Sequence, residues 1–129
     1  MASSCVLRAA DDNFQPSDFL RDSPFQPCRV YCKGGRRSAS RLREISGITV
    51  DMSSKADFSD QVHEGVFFLA NNRAELLRLR QFTGIEKIIL DFGVNEKDGF
   101  LKNCLFPLEL IYLASEFALE LELSIYVKE

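Results

Sequence analysis

The side chains able to do acid–base or nucleophilic chemistry are few: one histidine, His63, and four cysteines, Cys5, Cys28, Cys32 and Cys104. A serine or cysteine nucleophile needs a base that is itself held by an acid, and a single imidazole limits that chemistry to one place. His63 lies in Asp60-Gln61-Val62-His63-Glu64, inside a stretch of helical periodicity. A solvated helix histidine is the plainer reading there than a general base. The His63-Glu64 pair lacks the second histidine of a metalloprotease helix. An enzyme of unrecognised type would have to use His63, Asp91 or a cysteine. There is no Walker loop, no G-x-G-x-x-G and no G-x-S-x-G in the chain. Lys33-Gly34-Gly35-Arg36 could cradle a phosphate, but no helix start follows it, and a flexible loop between strands is the plainer reading. We therefore assign no catalytic residue, no cofactor and no metal site, and lean away from an enzyme.

The cysteines read the same way. Cys28 and Cys32 are spaced C-x3-C, and Cys5 and Cys104 have no near neighbour in sequence. On a strand over 28–33 the two thiols would share a face but stand too far apart for an easy disulfide. Zinc would need ligands from elsewhere, with only one histidine to supply them. Free, buried or half-buried thiols in a reducing compartment are expected.

Charge distribution is the one anomaly. Arg29, Lys33, Arg36, Arg37, Arg41 and Arg43 fall between Cys28 and Arg43 with no acidic residue among them. From Leu108 onward Glu109, Glu116, Glu120, Glu122 and Glu129 face Lys128 alone. The six cations are the candidate binding residues, for an acidic protein or a polyanion. The plainer alternative is a solvated loop balancing the acidic end. A net charge of −3, with only Tyr31 among the arginines, places nucleic acid below protein as the partner.

These side chains must be positioned by a chain of 129 residues, 46% apolar and 27% charged, enough for one core and one domain over 1–129. No apolar run nears the ~20 residues of a membrane span, and Met-Ala-Ser-Ser-Cys shows no secretory signal, so a cytoplasmic protein is expected. Strands are expected at 4–9, 28–33 and 47–52, with a short helical turn at 16–20 that Pro24 and Pro27 end. Asp57 caps a helical stretch to about Phe82, as one helix or two. Its apolar positions are Phe58, Val62, Val66 and Leu69, then Leu76, Leu77 and Leu79. Asn72 and Glu75 have the form of a capping box, and Gly84 suits a left-handed helix end. A central strand over 86–92 precedes a polar loop from Gly93 to Asn103 and a helix from Pro107 to about Leu119. In that helix Leu110, Ile111, Ala114, Phe117 and Ala118 are expected to be buried. Residues 120–127 alternate strictly, Leu121, Leu123, Ile125 and Val127 on one side, and form a strand with one covered face.

The order β-α-β-β-α-β-α-β predicts an α+β fold: a ferredoxin-like β-α-β-β-α-β core with an appended helix and C-terminal strand. Phe67 and Phe68 cannot both face one core, so one is exposed or covered by a second subunit. An exposed edge at 120–127 gives another route to self-association. A homodimer is weighed level with a monomer.

With these residues in view, the chain resembles a family of short, mostly bacterial proteins classed as domains of unknown function. The resemblance lies in Ser46-Gly47-Ile48 with Val50 and Ser53, Gln61, Phe68-Leu69, Asn72, Glu75-Leu76 and Leu79. It continues in Leu90-Asp91-Phe92-Gly93, Phe106-Pro107, Leu110 and Leu121-Glu122-Leu123-Ser124-Ile125-Tyr126. It spans about 46–127, implies a shared fold, and brings no activity. In size the chain is similar to small accessory or immunity-type proteins. The expected function is a non-enzymatic interaction module with a protein partner. Nucleic-acid or phosphate-ligand binding through 29–43 is the alternative, and an unrecognised enzyme the third reading.

Overall fold

The computed structural model describes residues 4–38, 41–95 and 103–127, with backbone alone at 36–38. The elements are β1 (Cys5–Asp11), α1 (Pro16–Leu20), β2 (Arg29–Tyr31), β3 (Arg36–Ser38), β4 (Arg41–Leu42) and β5 (Ser46–Ser53). They continue as α2 (Phe58–Asn71), α3 (Arg73–Arg80), β6 (Ile88–Asn95), α4 (Leu108–Glu116) and β7 (Glu120–Tyr126). The result is a mixed α+β fold with a five-stranded sheet in the order β2-β5-β1-β6-β7 and a separate β3–β4 ladder. Most of the expected loop from Gly93 to Asn103, at 96–102, lies outside the described residues.

The expected element order recurs, with differences. The strand order departs from that of a four-stranded ferredoxin-like sheet by β7, which pairs parallel outside β6. A β3–β4 hairpin interrupts the connection from β2 to β5. The first connecting helix has only five residues, because Pro16 starts it and the prolines at 24 and 27 forbid a long continuation. The helical stretch breaks into α2 and α3 at Asn72. There the side chain donates to the Phe68 carbonyl instead of accepting from its own helix start, so no capping box forms. Asp57 does cap α2, accepting from the Asp60 amide at 3.2 Å.

Leu7 on β1, Val50 on β5 and Leu90 on β6 stand opposite one another and point toward the helices. Phe58 of α2 packs its ring 5.6 Å from that of Phe92, and Gly65 admits the sheet residues Met52 and Phe92 against the helix. A second aromatic cluster, Phe14, Phe19, Phe25, Phe68 and Phe82, joins α1 and its flanking loops to α2 and α3. Arg78 stacks 4.0 Å over the Phe19 ring and pairs with buried Glu75, which also accepts from the Ser23 hydroxyl. Burial opposes the charge on Glu75, but those two donors hold its carboxyl below its ordinary value.

In α4 the buried stripe is Leu110, Leu113, Ala114 and Phe117, spaced i, i+3, i+4, i+7. Ile111 and Ala118, expected inside, are exposed. The stripe is set one position away from Ile111, and the helix ends at Glu116, so Ala118 falls in the turn that reverses the chain into β7. On β7 the alternation holds as register: Leu121, Leu123 and Ile125 pair beside Leu90, Phe92 and Val94. Leu121 and Leu123 are half-buried, whereas Ile125 and Val127 are exposed at the sheet edge.

Candidate functional site

The basic segment folds as an edge strand followed by a hairpin. β2 pairs only with β5, and the chain then turns at Gly34-Gly35 into β3 and back along β4. Gly34 sits at φ +85°, which glycine adopts without cost. The Gly34 amide donates to the Arg43 carbonyl at 2.9 Å and the Gly35 amide to the Cys32 carbonyl at 2.9 Å. Both amides of the candidate phosphate cradle are thereby spent within the hairpin, and no helix follows. Arg29, Lys33 and Arg41 are exposed and enter no ion pair among the described residues. Arg43 is half-buried, its guanidinium 4.6 Å from the centre of the Tyr31 ring. Arg36 and Arg37 lie on β3, and their side chains are outside the described residues. Val30 on β2, Leu42 on β4 and Ile45 just before β5 are exposed apolar side chains.

A second surface lies where α2 meets α4. Ser59, Val62, His63, Val66, Phe67 and Ala70 of α2 and Glu109 of α4 line an open groove of about 390 Å³. Phe67 is 69% exposed, while Phe68 packs toward the core, which resolves the expected competition between them. On α4 Leu108, Ile111 and Tyr112 are exposed at i, i+3, i+4 spacing. A second stripe on α2 runs Asp60, Glu64, Phe67, Asn71, so two acidic residues lie on the N-terminal side of the exposed ring. At the far end Arg73 pairs with Glu116 at 2.6 Å.

The sheet face away from the helices carries a polar cluster. Arg8 donates through Nη1 to Asp91 Oδ2 at 2.6 Å and through Nη2 to Glu122, and the Ser124 hydroxyl donates to Asp91 Oδ1 at 2.7 Å. Asp91 is buried with both oxygens occupied. Desolvation weakens the charge on Arg8, but its two carboxylate partners more than compensate and hold it above its ordinary value. Two tyrosines lie over glycines on this face: Tyr31 against Gly47 and Tyr126 against Gly93. This cluster escaped the sequence reading, because its members are separated by most of the chain and only strand register unites them.

The candidates for catalysis are dispersed. His63 lines the groove and makes no hydrogen bond among the described residues. Asp91 is tied to Arg8 and Ser124 across the sheet. All four thiols are free; Cys5 is buried, Cys104 is half-buried, and Cys28 and Cys32 are exposed. Burial, and secondarily the charge on Asp91, push the Cys5 thiol up to about 12. Partial desolvation and then Asp51 raise the Cys28 thiol, which donates to the Thr49 carbonyl at 3.3 Å. Among the described residues no group of three or more His, Cys, Asp or Glu side chains is arranged to hold a metal ion. None of the described helices is long and apolar enough to cross a membrane. No protein-family model matches the chain, and comparison with curated proteins and with solved structures finds nothing similar to it.

Proposed function

We propose that this protein is a non-enzymatic interaction module that works through two unpartnered surfaces, the α2–α4 face and the basic hairpin. The observation that carries the reading is the exposure of Phe67 at the open groove it lines with Glu109, together with exposed Leu108 and Tyr112 on α4. Exposed large apolar side chains gathered on adjoining helix faces mark contact sites. The dispersal of His63, Asp91 and the thiols supports the absence of catalysis, since each thiol with a raised value is a poorer nucleophile at neutral pH. An accessory or immunity-like role in the cytoplasm, and kinship with a short bacterial family through residues 46–127, belong to the same proposal. On the fold, we propose that β2-β5-β1-β6, antiparallel at every neighbour, is a ferredoxin-like core to which α4 and β7 were appended. Polyanion binding is the second reading, supported by the exposed Arg29, Lys33 and Arg41. The engagement of the two glycine amides within the hairpin counts against a phosphate cradle.

The test is co-purification from the native host of the tagged full chain alongside its untagged copy, with bound proteins identified by mass spectrometry. A stoichiometric protein partner, lost in a Phe67→Ser, Tyr112→Ser variant, is expected. Recovery of the tagged chain alone, or of nucleic acid released by salt, overturns the reading.

A further inference from the structure

The two edges of the sheet are guarded differently. β2 is three residues long, begins two residues after Pro27 and carries exposed Arg29, features that discourage strand addition. β7 runs seven residues in unbroken register beside β6, with no proline, lysine or bulge to protect it. Its outward N–H and C=O groups find no partner among the described residues. Its carboxylates are already matched within the chain: Glu122 pairs with Arg8 and Glu120 with Lys87 at 3.5 Å, while Glu116 at the end of α4 pairs with Arg73. What this edge leaves unsatisfied is backbone and apolar surface. Ile125, 58% exposed, continues the row of Leu121 and Leu123 on the helix side of the sheet, and Val127, 71% exposed, follows two residues on. α4 extends that surface. Glu109 and Ile111 flank buried Leu110, each about 100° around the helix from it. Glu109 faces the groove with α2, which lies over β5 and β6, so exposed Ile111 is on the flank turned away from α2 and toward the outer edge of β7.

We propose that the β7 edge is covered by β7 of a second copy of this chain, added antiparallel across a two-fold axis so that two five-stranded sheets join into one of ten strands. The row of side chains matches its own reverse. A two-fold at Ser124 sets Leu123 opposite Ile125 of the second copy and Leu121 opposite its Val127, so all four apolar residues are engaged. Glu122 then lies opposite Tyr126, and no glutamate faces another. A strand of different sequence could use the same backbone groups, but this self-match is what selects a second copy. Because the edge carboxylates are neutralised within each chain, the two acidic edges approach without opposing unpaired charge. The same axis brings the Ile111 flanks of the two α4 helices alongside each other on one side of the joined sheet. Both β7 edges are consumed, so growth stops at two. This goes beyond the interaction-module reading, since the α2–α4 groove and the β2 edge stay uncovered and the pair presents each of them twice.

The experiment is sedimentation velocity on the full chain over a concentration series up to about 100 μM, at low and high salt, a range set to detect micromolar affinity. Wild type is expected at twice its 14.7 kDa mass. Its dissociation constant should change less than about twofold with salt, because the contact is made of backbone and apolar groups. Ile125→Lys should be monomeric, and Val127→Lys and Ile111→Lys should each weaken the dimer about tenfold. All three positions are exposed, and thermal unfolding checks that each variant folds. Phe67→Ser, in the groove, should leave the dimer unchanged. In a Cys28→Ser, Cys32→Ser, Cys104→Ser background, Ser124→Cys should link two chains through a disulfide when an oxidant is added, since the axis sets the two thiols directly opposite. Glu120→Cys in that background should not. A wild-type monomer throughout, a dimer that survives both Ile125→Lys and Val127→Lys, a dimer lost in Phe67→Ser, or a Ser124→Cys chain that never cross-links overturns the proposal. In the co-purification above, the untagged copy should accompany the tagged chain even in the Phe67→Ser, Tyr112→Ser variant. If a different protein is recovered at stoichiometry while the chain alone stays monomeric, this proposal falls and the interaction-module reading stands.

Discussion

Cys5 is fully buried on β1, and its thiol titrates near 12 in the folded protein. An unfolded chain releases that proton near 9, the ordinary value. The folded state therefore binds the proton more tightly, and the stability it contributes is complete below about pH 9 and is lost as pH rises toward 12. The slope from this one group is about 1 kcal/mol per pH unit. Urea denaturation of wild type and Cys5→Ala between pH 8 and 11 should show the variant less stable at pH 8, with the gap narrowing as pH rises. Glu75 has the opposite sign: its contribution is present above about pH 4.5 and fades as pH falls through its lowered value. Arg8 is the residue whose loss should cost most on the open face. Arg8→Ala leaves Asp91 buried without its cation and should destabilise by about 1–3 kcal/mol, less than a fully buried pair because Arg8 is one-third exposed. An Arg8→Met, Asp91→Leu double variant should recover most of that in the same denaturation assay. None of this was legible in the sequence, where Arg8, Asp91 and Glu122 are three unrelated charges. By contrast, that the chain holds a single imidazole was legible, since a count of residue types needs no folding.

Local periodicity and chain punctuation foretold the elements where a short-range rule decides the outcome. Leu121 and Leu123 of the alternating strand β7 pack against the core, and Asp57 caps α2 because its carboxylate reaches an amide three residues on. The rules failed where a side chain had two local options. Asn72 turned back to the Phe68 carbonyl, and Glu75 went to Arg78 and Ser23. The β3–β4 hairpin was read as a connection, since neither Arg36–Ser38 nor Arg41–Leu42 is long enough to alternate visibly. Gly84 does adopt a positive φ, +91°, but beyond the end of α3, where a Cβ would strike the Asn13 carbonyl oxygen at 2.4 Å. The turn from α4 into β7 uses Ala118 at φ +53°, a left-handed conformation that a side chain resists. Because Ala118 is exposed, Ala118→Gly should raise stability by roughly 1 kcal/mol. A rise in the thermal midpoint is the expected readout, and a fall would mean that the turn gains nothing from glycine.

At the scale of the molecule, a net charge of −3 conceals a division between a basic edge at β2 and an acidic one at β7 and α4. The sequence placed those blocks along the chain; the sheet order places them at opposite edges, which is what turns a composition bias into a pair of surfaces. Strand order itself was the least legible property, because it depends on pairings between distant segments. The position of β1 between β5 and β6 has a consequence during synthesis. Leu7 is made well before its neighbours across the ladder, Val50 and Leu90. Until β5 is made β1 has both of its hydrogen-bonding edges unpaired, and until β6 is made it still has one, so the nascent chain is open to misassociation through β1 over that interval.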